Sequence, residues 1–446
     1  MKADLEGGND DRSVGASALS KATWRILPLI ALGYGIAFID RANISFAALQ
    51  MNRDLHFSAT IYGLGGGLFF LSYALFEIPS NLLLVKFGAR RWIARIMISW
   101  GVIAAGMMFV RSPMQFYVMR FLLGMAEAGF FPGVIYYLTF WFPSDVRGRA
   151  ISRFYVAWPL STVVMGALAG TLLGLEGRLG LAGWQWLFLV EGLPAVVVGF
   201  LILFLLPERP AEAKWLSSDE KEWLERRLRA DLTSGRRHAD RGLFAAFANP
   251  VVVVFTVVNI IMLGSYYAFA LSAPEILKQA TGLGTTVVGY VIATGGLLGA
   301  VAMLVFGWHS DLRKERFLHL VIPILLMALA YGVLAITRDP RVMIGAYWLA
   351  IMSNAGIAAV FWLTPGELLA PGSLAVSIAA INAVGQLGSF VSPILWGMAR
   401  DATGNFHLAL SLLPLGYLLA AALVLWLRSQ MRLSQAARAF ITAEGA

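Results

Sequence analysis

Residues Pro113–Arg149 read PMQFYVMRFLLGMAEAGFFPGVIYYLTFWFPSDVRGR. Most of the stretch is apolar for long enough to cross a bilayer, yet Arg120 and Glu127 sit inside it. Seven residues separate them, close to two helical turns, so both fall on one face of a helix. A charge at mid-bilayer depth costs at least about 2.5 kcal/mol, so that face must look onto protein or water rather than lipid. Asp40 and Arg41 lie in the same way inside the first apolar run. Four ionisable residues in two N-terminal spans point to a polar pathway through a membrane protein.

Composition agrees. Hydrophobic residues make up 59% of the chain, charged residues 14%, and the mean hydropathy is +0.72. A soluble fold of 446 residues could not hide that much apolar surface, so the chain reads as an all-α polytopic membrane protein. It has no cysteine, which excludes a disulfide scaffold and thiolate metal sites. The net charge of +9 would suit nucleic acid, but the basic residues cluster in short loops, as membrane topology requires. The partner they indicate is the lipid bilayer, with no nucleic acid. Residues 1–21 are polar and mixed in charge and lack the apolar core of a signal peptide. A disordered cytoplasmic tail is expected there.

Apolar runs recur at 24–50, 59–85, 92–110, 114–142, 150–175 and 184–206, then at 246–273, 285–308, 317–336, 341–365, 373–398 and 406–427. Each is near or above the ~20 residues that span a bilayer. The expected organisation is twelve transmembrane helices in two six-helix bundles, 22–206 and 246–428. A cytoplasmic linker, 207–245, joins them, and a cytoplasmic tail, 429–446, closes the chain. Loops after even-numbered spans carry Lys86, Arg90, Arg91 and Arg95, then Arg147, Arg149 and Arg153, then Arg313, Lys314 and Arg316. The linker holds nine more basic residues from Arg209 to Arg241. The opposite loops carry only Arg53, Arg111, Arg178, Lys278, Arg338, Arg341 and Arg400. The positive-inside rule then places both termini and the linker in the cytoplasm. Within the linker, Ser217 or Ser218 can cap a helix, acidic residues follow, and Trp223, Leu224 and Leu228 form an apolar stripe. A short amphipathic helix is expected.

The two halves echo each other. NLLLVKFGARR, Asn81–Arg91, follows span two, and GWHSDLRKER, Gly307–Arg316, follows span eight. Two six-span repeats are the plan of one large transporter class, with the site at the midplane. With this layout, FIDRANIS (Phe38–Ser45), EIPSNLLLVKFGARRWIARI (Glu77–Ile96) and RFLLGMAEAGFFPGVIYYLTFWFPSDVRGRAIS (Arg120–Ser152) are similar to the anion:cation symporter family of the major facilitator superfamily. That family holds proton-coupled permeases for tartrate, hexuronates, galactonate, phthalate and hydroxyphenylacetate, with the vesicular glutamate and sialic acid transporters as animal relatives. The resemblance covers nearly the whole chain and implies the major facilitator fold. It implies Asp40 and Glu127 as proton sites and Arg41 and Arg120 as coupling and anion-binding residues. It also implies ligand-facing roles for Tyr73 and Asn382. The superfamily's Gly-x-x-x-Asp-Arg/Lys turn, a cytoplasmic latch, departs from pattern in its first copy. Asn81 and Val85 replace Gly and Asp, while Lys86, Gly88 and Arg90 remain; the second copy keeps Gly307 and Asp311.

Depth supports the same residues without the family. If span one ends near Gln50 and span four starts near Met114, a 1.5 Å rise puts Arg120 roughly 9 Å below the rim. Asp40 and Arg41 then lie roughly 14–15 Å down and Glu127 roughly 20 Å. An anion between the two guanidinium groups, with carboxylates beside or below it, would balance their charge, and guanidinium offers carboxylate a planar fork. A carboxylate in low dielectric holds a proton well, and a nearby Arg opposes this. A substrate anion competing for the Arg would therefore couple to protonation of Asp40 or Glu127. The alternative is a structural ion pair joining spans one and four.

Other candidates are weaker. Glu77 lies one turn beyond Tyr73 and suits a basic loop partner. Trp158, before Pro159, suits stacking on a substrate ring or filling a gap. Ligand contacts in the second half are expected to be neutral, from Asn259, Tyr266, Tyr267, Asn354, Trp362, Asn382 and Gln386. Trp24, Trp141 and Trp184 read as interface anchors. Gly63 with Gly67, Gly166 with Gly170 and Gly174, and Gly295 with Gly299 read as close-packing seams. The five His, at 56, 238, 309, 319 and 407, show no zinc-like spacing, and there is no phosphate-cradling loop for ATP. No enzyme, cofactor or metal site is expected. The reading is a monomeric, proton-coupled symporter of the bacterial inner membrane that imports a small organic anion. A tartrate-like dicarboxylate, a sugar acid or an aromatic carboxylate all fit. An exchanger or exporter on the same fold is the alternative, and a non-transporting membrane sensor a remote one.

Overall fold

The structure, a computed structural model, describes residues 3–234, 246–369 and 371–444. Twelve helices among them are long and apolar enough to cross a membrane. In order they are Ser13–Asp54, Ala59–Phe87, Ala89–Phe109, Pro113–Leu138, Ser144–Leu173 and Gly183–Leu205, then Pro250–Thr281, Thr285–Arg313, Phe317–Ile336, Pro340–Leu368, Val376–Thr403 and His407–Met431. They are called spans one to twelve below. Each falls on one of the twelve apolar runs of the sequence.

Three spans are interrupted, each for a chemical reason. Span four breaks after Glu127, where Ala128 turns extended and Gly129 adopts φ +85° before Phe130–Leu138 resumes. A Cβ on Gly129 would come within 2.5 Å of Ser80 Oγ, so the close approach of span two also requires glycine. The expected continuous helix is thus two pieces, and Glu127 is the last residue of the upper one. Span five breaks at Val156 and span ten at Trp362. Pro159 and Pro365 each lack the amide that would bond four residues back.

Two sequence expectations change. Residues 1–21 are expected to be a disordered tail, but span one is continuous with a helix that begins at Ala3. The linker helix Ser218–Ser234 holds that extension. Glu220 accepts from Lys21 Nζ at 2.7 Å and from Ser17 Oγ at 2.6 Å, Arg226 pairs with Asp11 at 2.9 Å, and Trp223 packs on Gly15. Ser217 is the cap: its Oγ accepts from the Glu220 amide, and its own amide donates to Glu220 Oε2 at 2.8 Å. Trp141 and Trp184, expected as interface anchors, are buried, because Trp141 stacks on Trp215 and Trp184 meets Phe188. Trp24 is 77% exposed, as an anchor would be.

Contacts group the chain into two compact units: Met1–Ile44, Leu71–Val164 and Leu172–Arg237, and Ser45–Phe70, Met165–Thr171 and His238–Ala446. In the first, span three lies along span six, where Gly192 sits against the Ala105 amide and the Gly101 carbonyl. The turn before span three is pinned by Glu208, which accepts from Ala89 N at 2.6 Å and Arg90 N at 3.0 Å. In the second, span seven lies along span eleven, with Gly264 against Gly388 and Asn259 Nδ2 donating to the Ile381 carbonyl at 3.1 Å. The tips of spans one and two belong here because span two starts on span eleven. The Asp401 carboxylate accepts from Ala59 N at 2.9 Å and Thr60 N at 2.8 Å, and Gly63 and Gly67 sit against the Pro393 and Phe390 carbonyls.

Gly129→Ala should lower stability by about 1–3 kcal/mol, through strain at positive φ and collision with Ser80. Gly148→Ala, whose added Cβ meets nothing within 4 Å, should be neutral or slightly stabilising. Melting in detergent separates the two. A second expectation concerns Glu220. Burial alone would raise its carboxyl, but the hydrogen bonds from Lys21, Ser17 and Ser217 bring it down to about 2. Its contribution is then full above its ordinary ~4.3 and disappears only as pH falls through about 2. Glu220→Gln should speed hydrogen exchange over Ser13–Trp24 at neutral pH. Wild-type protection, corrected for intrinsic rates, should stay flat from about pH 5 to about pH 8.

Candidate functional site

Asp40 and Arg41 are adjacent on span one, so their side chains leave the helix about 100° apart. Arg41 turns towards spans two and four. Its Nε and Nη2 both donate to Glu127 Oε1, at 2.9 and 2.6 Å. Glu127 is fully buried, whereas the Arg41 side chain keeps 19% exposure. The guanidinium also lies over the Tyr73 ring at 5.2 Å and the Phe38 ring at 5.3 Å. Phe38 in turn meets Trp158 at 5.8 Å, and Glu77 lies within electrostatic reach of Arg41. Glu127, Tyr73, Trp158 and Glu77 thus gather around one cation, although sequence pairs Glu77 with a basic loop instead. The break after Glu127 is what lets the upper half of span four end against Arg41.

Asp40 turns the other way, is 2% exposed and faces spans three and six. Asn43 Nδ2 donates to its Oδ1 at 3.3 Å, and Trp100 lies beside it. Arg120, buried on span four, acts electrostatically on Asp40 and on Glu127. Arg41 is thus bonded to Glu127, while Arg120 acts on both carboxylates. One more acid stands here that the sequence reading passed over. Glu191 lies mid-span on span six, 5% exposed, next to Asn43 and Asp40. The signal was the one that singled out Glu127, an acid within an apolar run.

The second unit is largely neutral at comparable positions. Tyr267 meets Phe70 at 4.1 Å and Tyr266 at 5.0 Å. Trp362 sits at the break in span ten, 36% exposed, and Asn382 is half-buried on span eleven. The second basic turn is cross-linked: Arg316 pairs with Asp311 at 2.6 Å and with Glu367 at 2.8 Å. In the first turn Gly88 has φ +91°, Lys86 lies over Phe87 and Arg90 donates to the Leu206 carbonyl. His309 and His319, scattered in the sequence, meet at 2.7 Å, with Glu315 3.2 Å from the second ring. His238 lies outside the described residues. Among the described residues no group of three His, Cys, Asp or Glu side chains could hold a metal ion.

Twelve apolar spans with opposite charges buried together at mid-span have the build of a membrane transporter, not of an enzyme. Residues 30–393 match the Major Facilitator Superfamily, and the chain belongs to that family. Among its relatives is an Agrobacterium vitis protein named "Putative tartrate transporter", 43% identical over 404 residues that cover 90% of this chain and 89% of that one. A quinolone resistance transporter of Acinetobacter baumannii is 37% identical over 88% of this chain and 91% of its own length. Of solved structures, a bacterial homologue of the human lysosomal transporter Spinster, inward-facing and occupied, matches with a TM-score of 0.73 at 17% identity. It covers 91% of this chain and 96% of that one, and the likeness concerns the fold.

Arg41→Ala should leave Glu127 buried without its partner and cost about 3–5 kcal/mol. Adding Glu127→Gln should restore much of that loss, since the stranded charge is gone. Melting of the two single variants and the double variant in detergent checks the coupling; additive losses would contradict it.

Proposed function

We propose that the protein imports a small organic anion together with protons, by alternating access. The observation that carries this reading is the Arg41–Glu127 pair. The guanidinium bonded to Glu127 belongs, at 19% exposure, to a side chain that an anion can reach. An incoming carboxylate offers Arg41 a second acceptor. As Arg41 turns to it, Glu127 is left in an apolar setting and takes a proton. When the anion leaves, the pair reforms and the proton is released. Arg120 acts electrostatically on Asp40 as well as on Glu127, and in this reading Asp40 and Glu127 are the proton sites and Arg41 and Arg120 the anion ligands. Tyr73 and Trp158 flank them, and Asn382, Tyr267 and Trp362 supply neutral contacts. Lys86, Gly88, Arg90, Gly307 and Asp311 act in the cytoplasmic latch.

Tartrate-like dicarboxylates suit two guanidinium groups best, and the relative from Agrobacterium vitis supports that class. Sugar acids and aromatic carboxylates fit the same cations, the latter favoured by Trp158. The protein acts as a monomer in a bacterial inner membrane, with both termini cytoplasmic as the basic loops indicate. Export is the second reading, supported by the quinolone resistance transporter among the relatives.

Proteoliposomes with an inward proton gradient should accumulate one labelled compound among tartrate, galactonate, phthalate and hydroxyphenylacetate, and a protonophore should collapse the gradient. Glu127→Gln should abolish accumulation while sparing exchange of labelled for unlabelled substrate. Accumulation by Glu127→Gln would refute the proton assignment, and wild-type exchange without accumulation would refute symport.

A further inference from the structure

The first unit holds a groove of about 690 Å³ that the proposed mechanism does not use. Its walls come from residues 19–31 of span one and 146–153 of span five, together with Phe142. The charged residues among them are Arg149 and Arg153, and no acid lines the groove. The two arginines lie four residues apart on one face of span five, and both are exposed. Neither has an ion-pair partner among the described residues, for the acids beside them pair elsewhere. Asp145 meets Arg227 at 3.3 Å, and Asp231 meets Arg147 at 3.7 Å. Like charges one turn apart repel, and an anion held between them relieves the repulsion.

The groove leads towards Arg41. Leu27 in its wall, then Tyr34, then Arg41 follow at intervals of seven on span one, so the three share a helix face. The Tyr34 ring lies 4.2 Å from Phe154 and 5.8 Å from Tyr155, the two residues that follow Arg153. It lies 4.9 Å from Phe38, whose ring is 5.3 Å from the Arg41 guanidinium. Aromatic rings thus stand between the groove and Arg41. Ala31, in the groove wall, precedes Arg41 by ten residues, about 15 Å of helix, too far for one small anion to reach both.

We propose that the groove is a second anion site, where Arg149 and Arg153 hold a small organic carboxylate outside the aromatic rings. Guanidinium groups offer the carboxylate planar forks, and Leu27 and Trp24 offer its carbon skeleton an apolar wall. The face of span one that carries Arg41 looks onto protein or water, so the occupant is a free anion and not a lipid headgroup. That the site is a stop on the transport path rests on the proton-coupled reading; the binding itself does not.

The chain has no cysteine, so Ser20→Cys puts a single thiol in the groove wall. The purified full-length variant in detergent is labelled with two thiosulfonates, one bearing a sulfonate and one a trimethylammonium group. After correction for their rates with free cysteine, the thiol should prefer the anionic reagent. Adding Arg149→Gln and Arg153→Gln should lower that preference about five-fold or more. Tartrate or phthalate should slow labelling of Ser20→Cys, and neither should do so once both arginines are gone. A preference that survives loss of both arginines, or no protection by either anion, would overturn the proposal. In nanodiscs an uncharged thiosulfonate should label equally in phosphatidylglycerol and phosphatidylcholine. Slower labelling in phosphatidylglycerol, unaffected by tartrate or phthalate, would give the groove to a lipid headgroup and also overturn it. Protection without accumulation of any anion in proteoliposomes would refute the transport reading and leave the groove site standing. Accumulation without protection would refute the groove site alone.

Discussion

Burying Glu127 alone in an apolar bundle would cost several kcal/mol, and the Arg41 guanidinium is what offsets it. Much of the first unit follows from keeping those two groups together. Span four must stop where Glu127 faces span one, so it breaks, and the break demands glycine at 129 with Ser80 across from it. Span two must bring Tyr73 over the same guanidinium. Span five bends at Pro159 beside Trp158, which rests on Phe38 under the other side of Arg41. Each element is shaped around a cation that would be expensive to leave uncovered.

The number of spans and the identity of four buried charges were legible because both rest on one large energy, the cost of polar groups in hydrocarbon. Every apolar run became a helix, and Asp40, Arg41, Arg120 and Glu127 all came to lie inside the first unit. What one dimension could not supply is direction. Adjacent residues on a helix point apart, so Asp40 and Arg41, read as a pair, serve different partners. The break in span four was hidden too, because Gly129 differs from its many neighbouring glycines only by its φ of +85°. Trp141 and Trp184 look like interface residues by position, yet both are buried, Trp141 stacked on Trp215 from the linker and Trp184 beside Phe188 one turn along its own helix. Glu191 was legible and passed over.

The second unit is held differently. Its close approaches are backbone against backbone, as at Gly166 on Gly289 and Gly264 on Gly388, where any side chain would collide. Polar links between its spans include hydrogen bonds to main-chain groups: Asn259 to Ile381, Tyr62 to Leu271 and Asp401 to two amides. Such contacts depend on shape more than on charge. They suit a region that packs tightly without burying ionic pairs.

The break in span four also bears on how the protein is made. Its two pieces, 15 and 9 residues long, are each shorter than a bilayer needs, and the longer one carries both charges. Such a segment is a poor candidate for entering the membrane by itself. Arg41 is synthesised before Glu127, so the counter-ion can already be in the bilayer when span four arrives. Asp40 likewise precedes Arg120. The order of residues along the chain is then also an order of assembly, with span one as the template on which the later charged spans are received.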